Sequence, residues 1–564
     1  MNAISERLWR HAPLVPLLLS VACGQRGEHG NGASPESFEG GEQASGPEDD
    51  GGRQLDAAAR PLVQTSSGKL RGITSNGVDS FLGVPYARPP VDGRRLAAPE
   101  DLDPSEVERS ADKPGNDCPQ IDPSTSEFKG NEDCLFLNVY RPAKLDPKKP
   151  APVMIWIHGG SFESGAGADY FPERLVRANQ IIVVTINYRL GPLGFIAGDG
   201  LSADYGLQDQ RKAFGWVQNN VKAFGGDPGK VTIAGESAGA GAVCAHVASK
   251  STGLFSRAII QSGSCGAISL GDARNMAANN LQAGLKKDGI QCENGLAACL
   301  RDTTLTAKQL VEKSRATGMK YGIVAGSEVV PRMPYEVVLA HEQQPVPVLI
   351  GGIKDEMALF LIMAGGYDSL EEEGYPAALE AGFPALEKPA LEEIALLYPV
   401  KHYKKPFLAL SAAFNDSGVY YFQLLGGCVT AATVSAFSAS TSTETYAYEL
   451  DDPNFQWRGG GTGATHMTDL PYLFDLRVPI SARFNAQQQA LSQQMIAAWG
   501  QFIKGEAPTF GGAEWPRTID GNAKATYLKP GFAPARDDLF ATHNCEFWQK
   551  TLTPRANDSP AGSP

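Results

Sequence analysis

The chain has 564 residues, of which 42% are hydrophobic and 20% are charged, and this composition is typical of a soluble globular protein. Its formal net charge is -13 and no stretch is rich in lysine and arginine, which argues against a nucleic-acid partner because phosphate binding needs a basic surface. The length alone does not require a second domain, because large α/β folds often form a single domain of this size.

Residues 1–22 have the layout of a secretory signal peptide. Two arginines precede the apolar run LVPLLLSVA, which is too short to span a bilayer as a permanent helix. The chain is therefore predicted to be exported. The stretch LSVAC also resembles a bacterial lipoprotein signal, in which Cys23 carries the lipid, although Ser20 stands where that pattern prefers leucine. We expect lipid attachment at Cys23 and a membrane tether, with simple secretion after cleavage behind Ala22 as the alternative.

Residues 23–60 are predicted to be a disordered acidic linker rich in Gly, Ser and Pro. Between residues 24 and 52, seven acidic residues stand against Arg26, a net charge of -6. Such a segment buries too little apolar surface to offset the entropy lost on ordering, which suits a tether. A flexible tail is predicted for residues 553–564.

From about residue 61 the chain alternates short, continuous apolar runs with helical stretches. Strands buried on both faces and separated by helices are typical of a mostly parallel sheet. Residues 61–552 are therefore predicted to be one α/β catalytic domain with a large, mostly parallel central sheet flanked by helices. The runs that carry this prediction are VMIWI (153–157), IIVVTINY (181–188), VTIAG (231–235), AIIQSG (258–263) and VPVLIGGI (346–353).

The stretch GESAG, residues 235–239, follows the predicted strand VTIA and fits the pattern G-x-S-x-G. In this pattern a sharp turn from strand to helix pushes the serine out above the sheet. The small neighbours of Ser237 would keep the turn free of clashes and the hydroxyl accessible. An ordinary glycine-rich helix start is the alternative, but the preceding strand favours a nucleophile at Ser237.

A nucleophilic serine needs a base and a group that stabilises the oxyanion. The stretch HGGSFESGAG, residues 158–167, directly follows VMIWI, where the oxyanion loop of an α/β-hydrolase belongs. We expect the backbone N–H groups of Gly160, Ser161 and Ala238 to form the oxyanion hole. A merely flexible glycine loop is the alternative.

Seven motifs, in the same order along the chain, resemble the type-B carboxylesterase and cholinesterase family between about residues 62 and 550. The resemblance implies the α/β-hydrolase fold, a small-molecule ester substrate and a triad in the chain order Ser, Glu, His. We assign supporting roles to Gly159, Glu236 and Ser262, which lie within these motifs. The motifs are FLGVPYARPP (81–90), EDCLFLNVYRP (132–142), HGGSF (158–162), NYRLGPLGF (187–195), FGGDP (224–228), GESAGA (235–240) and FSRAIIQSG (255–263).

The base of the triad is chosen by elimination among eight histidines, because only three of them follow the expected acid. His402 lies among lysines in VKHYKKP, which is typical of a solvated surface, and His543 lies near the C-terminus beside Cys545. His466, in GGGTGATHMTDLPYLF, follows a glycine-rich loop and resembles the histidine segment of the family. His466 is therefore predicted to be the base.

Two neighbouring carboxylates are candidates for the acid of the triad. The stretch PVLIGGIKDEMALF places Asp355 and Glu356 at the end of a predicted strand, and the residues alone do not choose between them or exclude a surface pair. The resemblance selects Glu356, the second acid of the family's K-D-E, although Met357 stands where glycine is more usual.

Nine cysteines in an exported chain favour disulfides. The resemblance implies the pairs Cys118–Cys134 and Cys292–Cys299, and Cys428–Cys545 is expected as a third. Cys244 and Cys265 are left over and are expected to be buried free thiols. The resemblance also implies two internal scaffold ion pairs, Arg95–Glu132 and Arg189–Asp209.

The predicted substrates are neutral esters rather than choline esters. The resemblance implies that a choline esterase carries a tryptophan for the quaternary ammonium on the long loop closed by its first disulfide. Here the loop from Cys118 to Cys134 is short and Phe128 is its one aromatic residue. Because phenylalanine attracts a cation less than tryptophan does, the attraction for a choline ammonium is expected to be weaker. Phe128 could serve as a weaker partner for a cation, and Glu236 could attract one.

The mechanism expected of this triad needs no cofactor, and no Cys/His/Asp cluster has the spacing of metal ligands. A catalytically silent binding or adhesion module is the alternative function, since some proteins that resemble this family have lost the serine. The presence of Ser237, Glu356 and His466 favours the enzyme.

Overall fold

The structure is a computed structural model that describes residues 60–249, 251–365, 367–418, 425–457, 460–477 and 483–552. The predicted signal peptide, Cys23, the predicted tail and all but the last residue of the predicted linker lie outside the described residues. These predictions, and the predicted domain bounds at 61 and 552, stay predictions.

Eleven strands form the central sheet, numbered in chain order: β1 (Ile73–Ser75), β2 (Val78–Pro85), β3 (Phe136–Pro142), β4 (Ala151–Ile157), β5 (Ile182–Ile186), β6 (Gly226–Glu236), β7 (Arg257–Gln261), β8 (Val348–Ile353), β9 (Thr445–Leu450), β10 (Lys524–Leu528) and β11 (Ala535–Asp538). Across the sheet their order is β11-β10-β9-β8-β7-β6-β4-β5-β3-β2-β1. The seven strands from β10 to β5 run parallel. The outer strands pair antiparallel with their neighbours.

The α-helices of the described residues are α1 (Glu173–Asn179), α2 (Gly191–Gly194), α3 (Tyr205–Asn220), α4 (Ala238–Ala248), α5 (Leu270–Met276), α6 (Ala283–Lys287), α7 (Leu296–Arg301), α8 (Ala307–Ala316), α9 (Pro334–Leu339), α10 (Ala358–Ala364), α11 (Tyr375–Gly382), α12 (Lys388–Leu397), α13 (Pro406–Ser417), α14 (Gly427–Ser438), α15 (Leu470–Leu473), α16 (Ala486–Lys504), α17 (Leu539–Thr542) and α18 (Cys545–Leu552). The longest, α16, begins with a capping box formed by Asn485 and Gln488 and ends at Gly505 in the left-handed conformation. Both features supply hydrogen-bond partners that a helix end otherwise lacks.

Six short ribbons and one small sheet surround this core. The small sheet contains Leu62–Thr65, Gly68–Arg71 and Glu108–Ser110. The ribbons pair Gln120–Ile121 with Phe128–Lys129, Tyr170–Phe171 with Asp475–Leu476, Ala197–Gly198 with Leu201–Ser202, Ile268–Ser269 with Val324–Ala325, Gln456–Trp457 with Gly460–Gly461, and Thr509–Phe510 with Ala513–Glu514. Within the described ranges, no helix is both long and apolar enough to cross a membrane.

The central strands are apolar on both faces because helices cover each face. In β4, Val153, Ile155 and Ile157 belong to one core cluster, whereas Met154 and Trp156 belong to the other. This is the period of two that a strand imposes on its side chains. The first cluster includes buried residues of α4 and the second includes buried residues of α16. The predicted α/β fold with a mostly parallel sheet is confirmed.

Four disulfides join cysteines of the described residues, and one of them corrects the sequence analysis. The expected pairs Cys118–Cys134, Cys292–Cys299 and Cys428–Cys545 are present. The expectation that Cys244 and Cys265 are free thiols is wrong, because they form the fourth disulfide, with Cα atoms 5.3 Å apart. Cys244 lies on α4 and Cys265 follows β7. These two elements pack together, although 21 residues separate the cysteines in sequence.

The two expected scaffold ion pairs are also present. Arg189 donates to both carboxylate oxygens of Asp209, at 2.7 and 2.8 Å, and both side chains are buried. Arg95 bonds Glu132 through Nε at 2.7 Å and also donates to the carbonyl of Leu305 at 2.8 Å. Breaking a buried pair of this kind costs about 3 to 5 kcal/mol, because one charge is left uncompensated.

Candidate active site

Ser237 occupies a strained turn between β6 and α4. Its backbone has φ 57° and ψ -123°, a conformation that costs a non-glycine residue about 1 to 3 kcal/mol and is concentrated at functional sites. Residues 231–236 and 238–247 are buried, whereas Ser237 between them is partly exposed. The turn therefore directs one hydroxyl out of an otherwise buried segment.

The glycines on either side of Ser237 are required by packing. A Cβ atom on Gly235 would lie 2.5 Å from the carbonyl carbon of Gly239, and one on Gly239 would lie 2.1 Å from the carbonyl oxygen of Ile157. Both contacts are far shorter than van der Waals separation. The close approach of α4 to the end of β4 thus explains the two glycines of the motif.

The loop after β4 lies directly against the turn at Ser237. A Cβ atom on Gly159 would lie 3.0 Å from Cβ of Ser237 and 2.8 Å from a carboxylate oxygen of Glu236. Gly160 and Ser161 follow with φ values of 99° and 56°. The carbonyl of Gly160 accepts the N–H groups of Glu163 and Ser164, which closes the loop into a turn.

Ala238 supplies the third predicted oxyanion donor at the first position of α4. An N–H group in the first turn of a helix has no partner within that helix and lies at its positive end. It can therefore bind a negative charge next to Ser237 without losing a backbone hydrogen bond.

His158 lies at the start of the predicted oxyanion loop. Its ring stacks on Tyr188 at 4.4 Å between centroids, and its Nδ1 lies 2.8 Å from the carbonyl oxygen of Gly159. Burial lowers the pKa of His158 to about 4, so the ring is neutral at physiological pH and can donate one hydrogen bond to that carbonyl. A Cβ atom on Gly165 would lie 2.5 Å from the same ring nitrogen, which explains another glycine of the loop.

Glu356 and His466 meet in a buried hydrogen bond of 2.7 Å between Oε2 and Nδ1. The other oxygen of Glu356 accepts the N–H of Ile353 at 2.8 Å. Gly352 leaves space for this carboxylate, since a Cβ atom there would lie 2.8 Å from Oε1. Both side chains are almost fully buried, with exposed fractions of 1% for Glu356 and 3% for His466.

Asp355, the competing acid, faces a different partner. Its Oδ1 accepts the hydroxyl of Ser411 on α13 at 2.5 Å. Burial raises the pKa of Asp355 to about 7. The structure thus brings Glu356 to the histidine and turns Asp355 toward α13, a distinction that the sequence alone leaves open.

The second nitrogen of His466 has a looser neighbour. Nε2 lies 3.3 Å from Oε1 of Glu236, the residue before Ser237. Burial raises the pKa of Glu236 to about 8, so this carboxyl is largely neutral at pH 7. Burial lowers the pKa of His466, but the acidic side chains around it, Glu236, Glu356 and Asp469, outweigh burial and raise this pKa.

Comparison with known proteins assigns the chain to a family. The sequence model described as Carboxylesterase family matches residues 59–548. The chain belongs to the carboxylesterase family. It is 32% identical to the para-nitrobenzyl esterase of Bacillus subtilis over 474 residues, 81% of this chain and 92% of that protein. It is 30% identical to pyrethroid hydrolase Ces2e of Rattus norvegicus over 523 residues, 88% of this chain and 90% of that protein.

Solved structures agree with this assignment. A PNB esterase has a TM-score of 0.69 at 30% identity, with 86% of this chain and 99% of that chain covered. A thermophilic PNB esterase has the same TM-score at 28% identity, with 87% and 100% covered. The predicted family, the α/β-hydrolase fold and the activity of a carboxylic ester hydrolase are therefore confirmed.

The carboxylesterase has a buried polar network behind Glu236 that the sequence analysis missed. Asp469 accepts hydrogen bonds from Gln261 at 2.7 Å and from Tyr448 at 3.1 Å. Trp499 donates to the side-chain amide oxygen of Gln261, Oε1, at 2.9 Å. Burial raises the pKa of Asp469 to about 6. The sequence offers one indication of this network, because Asp469 lies only three residues after the predicted base His466.

Ser262, predicted to support the site, lies at the end of β7 in a strained conformation. Its φ is 50°, and its N–H donates to the carbonyl of Gly351 at 2.8 Å. The hydroxyl is buried and has no hydrogen-bond partner among the described residues. The described residues also contain no group of three or more His, Cys, Asp or Glu side chains that could hold a metal ion.

Proposed function

We propose that this carboxylesterase is a serine esterase in which Ser237 is the nucleophile, His466 the general base and Glu356 the acid. The observation that carries the proposal is the 2.7 Å bond from Glu356 to His466. The other nitrogen of the ring lies 3.3 Å from Glu236, the residue before the strained and partly exposed Ser237. These are the geometric roles by which a triad is recognised.

The reaction has two halves. His466 accepts the hydroxyl proton through Nε2 as the Ser237 oxygen attacks the ester carbonyl, and it then gives that proton to the leaving alcohol. Water repeats the sequence on the acyl-enzyme and releases the acid. The N–H groups of Gly160, Ser161 and Ala238 stabilise the oxyanion in each half. Glu356 fixes the tautomer of His466 and stabilises the imidazolium.

The experiment is hydrolysis of p-nitrophenyl esters of increasing acyl length by the purified protein. A p-nitrobenzyl ester belongs in the set because relatives carry that name. Ser237→Ala is expected to lower kcat by a factor of about 10³ or more. Ser442→Ala, at an exposed position, is the matched control and keeps full activity. Turnover by Ser237→Ala at the rate of the control would exclude Ser237 as the nucleophile, whereas no hydrolysis of any of these esters by the unmodified protein would favour the silent binding module.

We further propose that the substrates are neutral esters. Phe128 is half-buried, and the ammonium group of Lys308 on α8 lies 5.9 Å from its ring centre. A cation already placed over the ring disfavours a second one there, so Phe128 is a poor site for a quaternary ammonium. Glu236, largely neutral at pH 7, offers little charge attraction.

A matched pair of substrates tests this proposal. Butyrylcholine and 3,3-dimethylbutyl butyrate have the same shape and differ in charge. The neutral ester is expected to have the equal or higher kcat/KM. A preference of about tenfold for the charged ester, which corresponds to the 1.4 kcal/mol of a typical cation–π contact, would contradict it.

Four disulfides are typical of an exported protein. We propose that the mature chain begins at lipid-modified Cys23 and is displayed at the cell envelope, since stable anchoring needs the multiple acyl chains of a lipoprotein. Mass spectrometry of the native N-terminal peptide is expected to show the acylated cysteine. An unmodified N-terminus on protein free in the medium supports simple secretion instead.

A further inference from the structure

A second buried histidine lies outside the proposed triad. His543, between α17 and α18, has an exposed fraction of 3%. Its Nδ1 is 2.6 Å from Oδ1 of Asp416 on α13, and its Nε2 is 2.5 Å from Oε1 of Glu449 on β9. One ring therefore joins the C-terminal segment, α13 and β9.

The two contacts of His543 require a charged ring. A neutral imidazole donates from one nitrogen only, so its other nitrogen would direct a lone pair at a carboxylate. Asp416 and Glu449 are both buried. Burial lowers the pKa of His543, but the charges of these two carboxylates outweigh it and raise the pKa well above its ordinary value. The imidazolium neutralises part of their charge where water cannot.

The surroundings leave the ring little freedom to move. A Cβ atom on Gly427 would lie 2.3 Å from Cγ of His543, so glycine is needed at this position. The disulfide Cys428–Cys545 ties the next residue of α14 to the start of α18. Tyr398 donates its hydroxyl to Oδ2 of Asp416 at 2.7 Å.

A short chain of hydrogen bonds leads from His543 to Glu356. Asn415, adjacent to Asp416 on α13, donates through Nδ2 to Oδ1 of Asp416 at 3.0 Å. The same amide group donates to the carbonyl of Lys354 at 3.1 Å, and its oxygen accepts the backbone N–H of Glu356 at 3.1 Å. Asn415 thus holds the backbone on both sides of Asp355.

We infer that His543 is a positioning residue for the reaction: it fixes Asp416, and through Asn415 it fixes the turn that presents Glu356 to His466. The inference rests on the proposed function, because it assumes that Glu356 is the acid of the triad. His543 touches neither substrate nor the reacting atoms, so its effect is on how well Glu356 is aligned.

The first test compares His543→Gln with His402→Gln, the same change at an exposed histidine. Active sites are counted by stoichiometric reaction with p-nitrophenyl diethyl phosphate, so kcat refers to folded enzyme alone. His543→Gln is expected to lower kcat by about 10- to 100-fold, the cost of a small misplacement of a catalytic group, with KM changed less than about threefold. A kcat equal to that of His402→Gln would overturn the inference.

A double-mutant cycle separates positioning from general loss of structure. In a Glu356→Gln background His543→Gln has no acid left to align, so it is expected to lower kcat by less than about threefold. Additive losses in the double variant would show a role independent of Glu356 and would overturn the inference. Full activity of Glu356→Gln alone would instead exclude the proposed triad.

Asn415→Ala breaks the same chain of bonds, including the bond from Asn415 to Asp416, but keeps all three members of the His543 cluster, and it is the deciding variant if His543→Gln does not fold. It leaves His543 with both carboxylates and removes the link to Glu356. The same fall in kcat, again absent in the Glu356→Gln background, is expected. Unchanged kcat in Asn415→Ala would overturn the inference.

Discussion

Two histidines of this carboxylesterase lie buried between two carboxylates, and they differ in how the second ring nitrogen is held. In His466, Nδ1 is 2.7 Å from Glu356 but Nε2 is 3.3 Å from Glu236. In His543, both nitrogens are bonded, at 2.6 Å to Asp416 and 2.5 Å to Glu449.

The difference separates the proposed base, His466, from a structural cation, His543. A ring with both nitrogens firmly bonded to carboxylates has no site at which to accept a further proton. A ring with one firm bond keeps its tautomer and leaves the other nitrogen available to a neighbouring hydroxyl. Two similar pairs of acidic side chains therefore have different effects on the two rings. Beside His466, Glu236 is largely neutral at pH 7, and the next residue, Ser237, is partly exposed.

The largest expected effect of this difference is on catalysis. His466→Ala is expected to lower kcat on p-nitrophenyl butyrate by about 10³- to 10⁴-fold, since members of a triad act as a unit. Steady-state kinetics at pH 8 check this, with His402→Ala as the control. If His466→Ala loses no more activity than His543→Ala, the two histidines do not differ as described.

The two alanine variants are expected to rank in the reverse order for stability, with His543→Ala the more damaging. His543→Ala leaves Asp416 and Glu449 as uncompensated buried charges, so the free energy of unfolding is expected to fall by about 3 to 5 kcal/mol. His466→Ala costs less, because Glu356 keeps the bond from Ile353 and Glu236 is already neutral at pH 7. Urea unfolding of both variants at pH 7 measures the contrast, and equal losses would contradict it.

The same difference explains what the sequence could predict. Ser237 and the glycines beside it are recognisable because the nucleophile turn is one short, continuous segment with strict packing limits. His466 is identified by chain order and Glu356 by resemblance. His543 is not identified as important, because its partners Asp416 and Glu449 lie 127 and 94 residues away in sequence. The Cys244–Cys265 disulfide likewise depends on the packing of α4 near β7, and no local sequence motif indicates that packing.

The charged state of His543 also predicts how stability depends on pH. Its pKa is raised in the folded protein, so its stabilisation is fully present below the unfolded value of about 6.5 and is lost as pH rises through the folded value. Between those values the folded protein keeps a proton that the unfolded chain releases. The free energy of unfolding is then expected to fall by about 1.4 kcal/mol more per pH unit than in His543→Gln.

Urea unfolding at pH 8 and pH 9 measures this slope for both proteins. His402→Gln, the same change at an exposed histidine, is the control, and its slope is expected to match that of the unmodified protein. Equal slopes for the unmodified protein and His543→Gln would show that His543 is neutral in the folded state.

The smallest expected effect comes from replacing one carboxyl by an amide beside His466. Burial raises the pKa of Glu236 to about 8, so the carboxyl is largely neutral at pH 7, where the variant and the unmodified protein are compared. Gln is a close neutral substitute for it. Glu236→Gln is therefore expected to change kcat/KM at pH 7 by less than about threefold and to move the acid limb of kcat/KM by less than about half a pH unit.

The corresponding change beside the other histidine, Glu449→Gln, is the matched comparison. It removes a charge bonded to an imidazolium, so the free energy of unfolding is expected to fall measurably, whereas Glu236→Gln leaves it nearly unchanged. A shift of the acid limb in Glu236→Gln to lower pH by one unit or more would show that an ionised Glu236 raises the pKa of His466. In that case both histidines would lie between two charged carboxylates, and only the 3.3 Å separation at Nε2 would leave His466 able to act as a base.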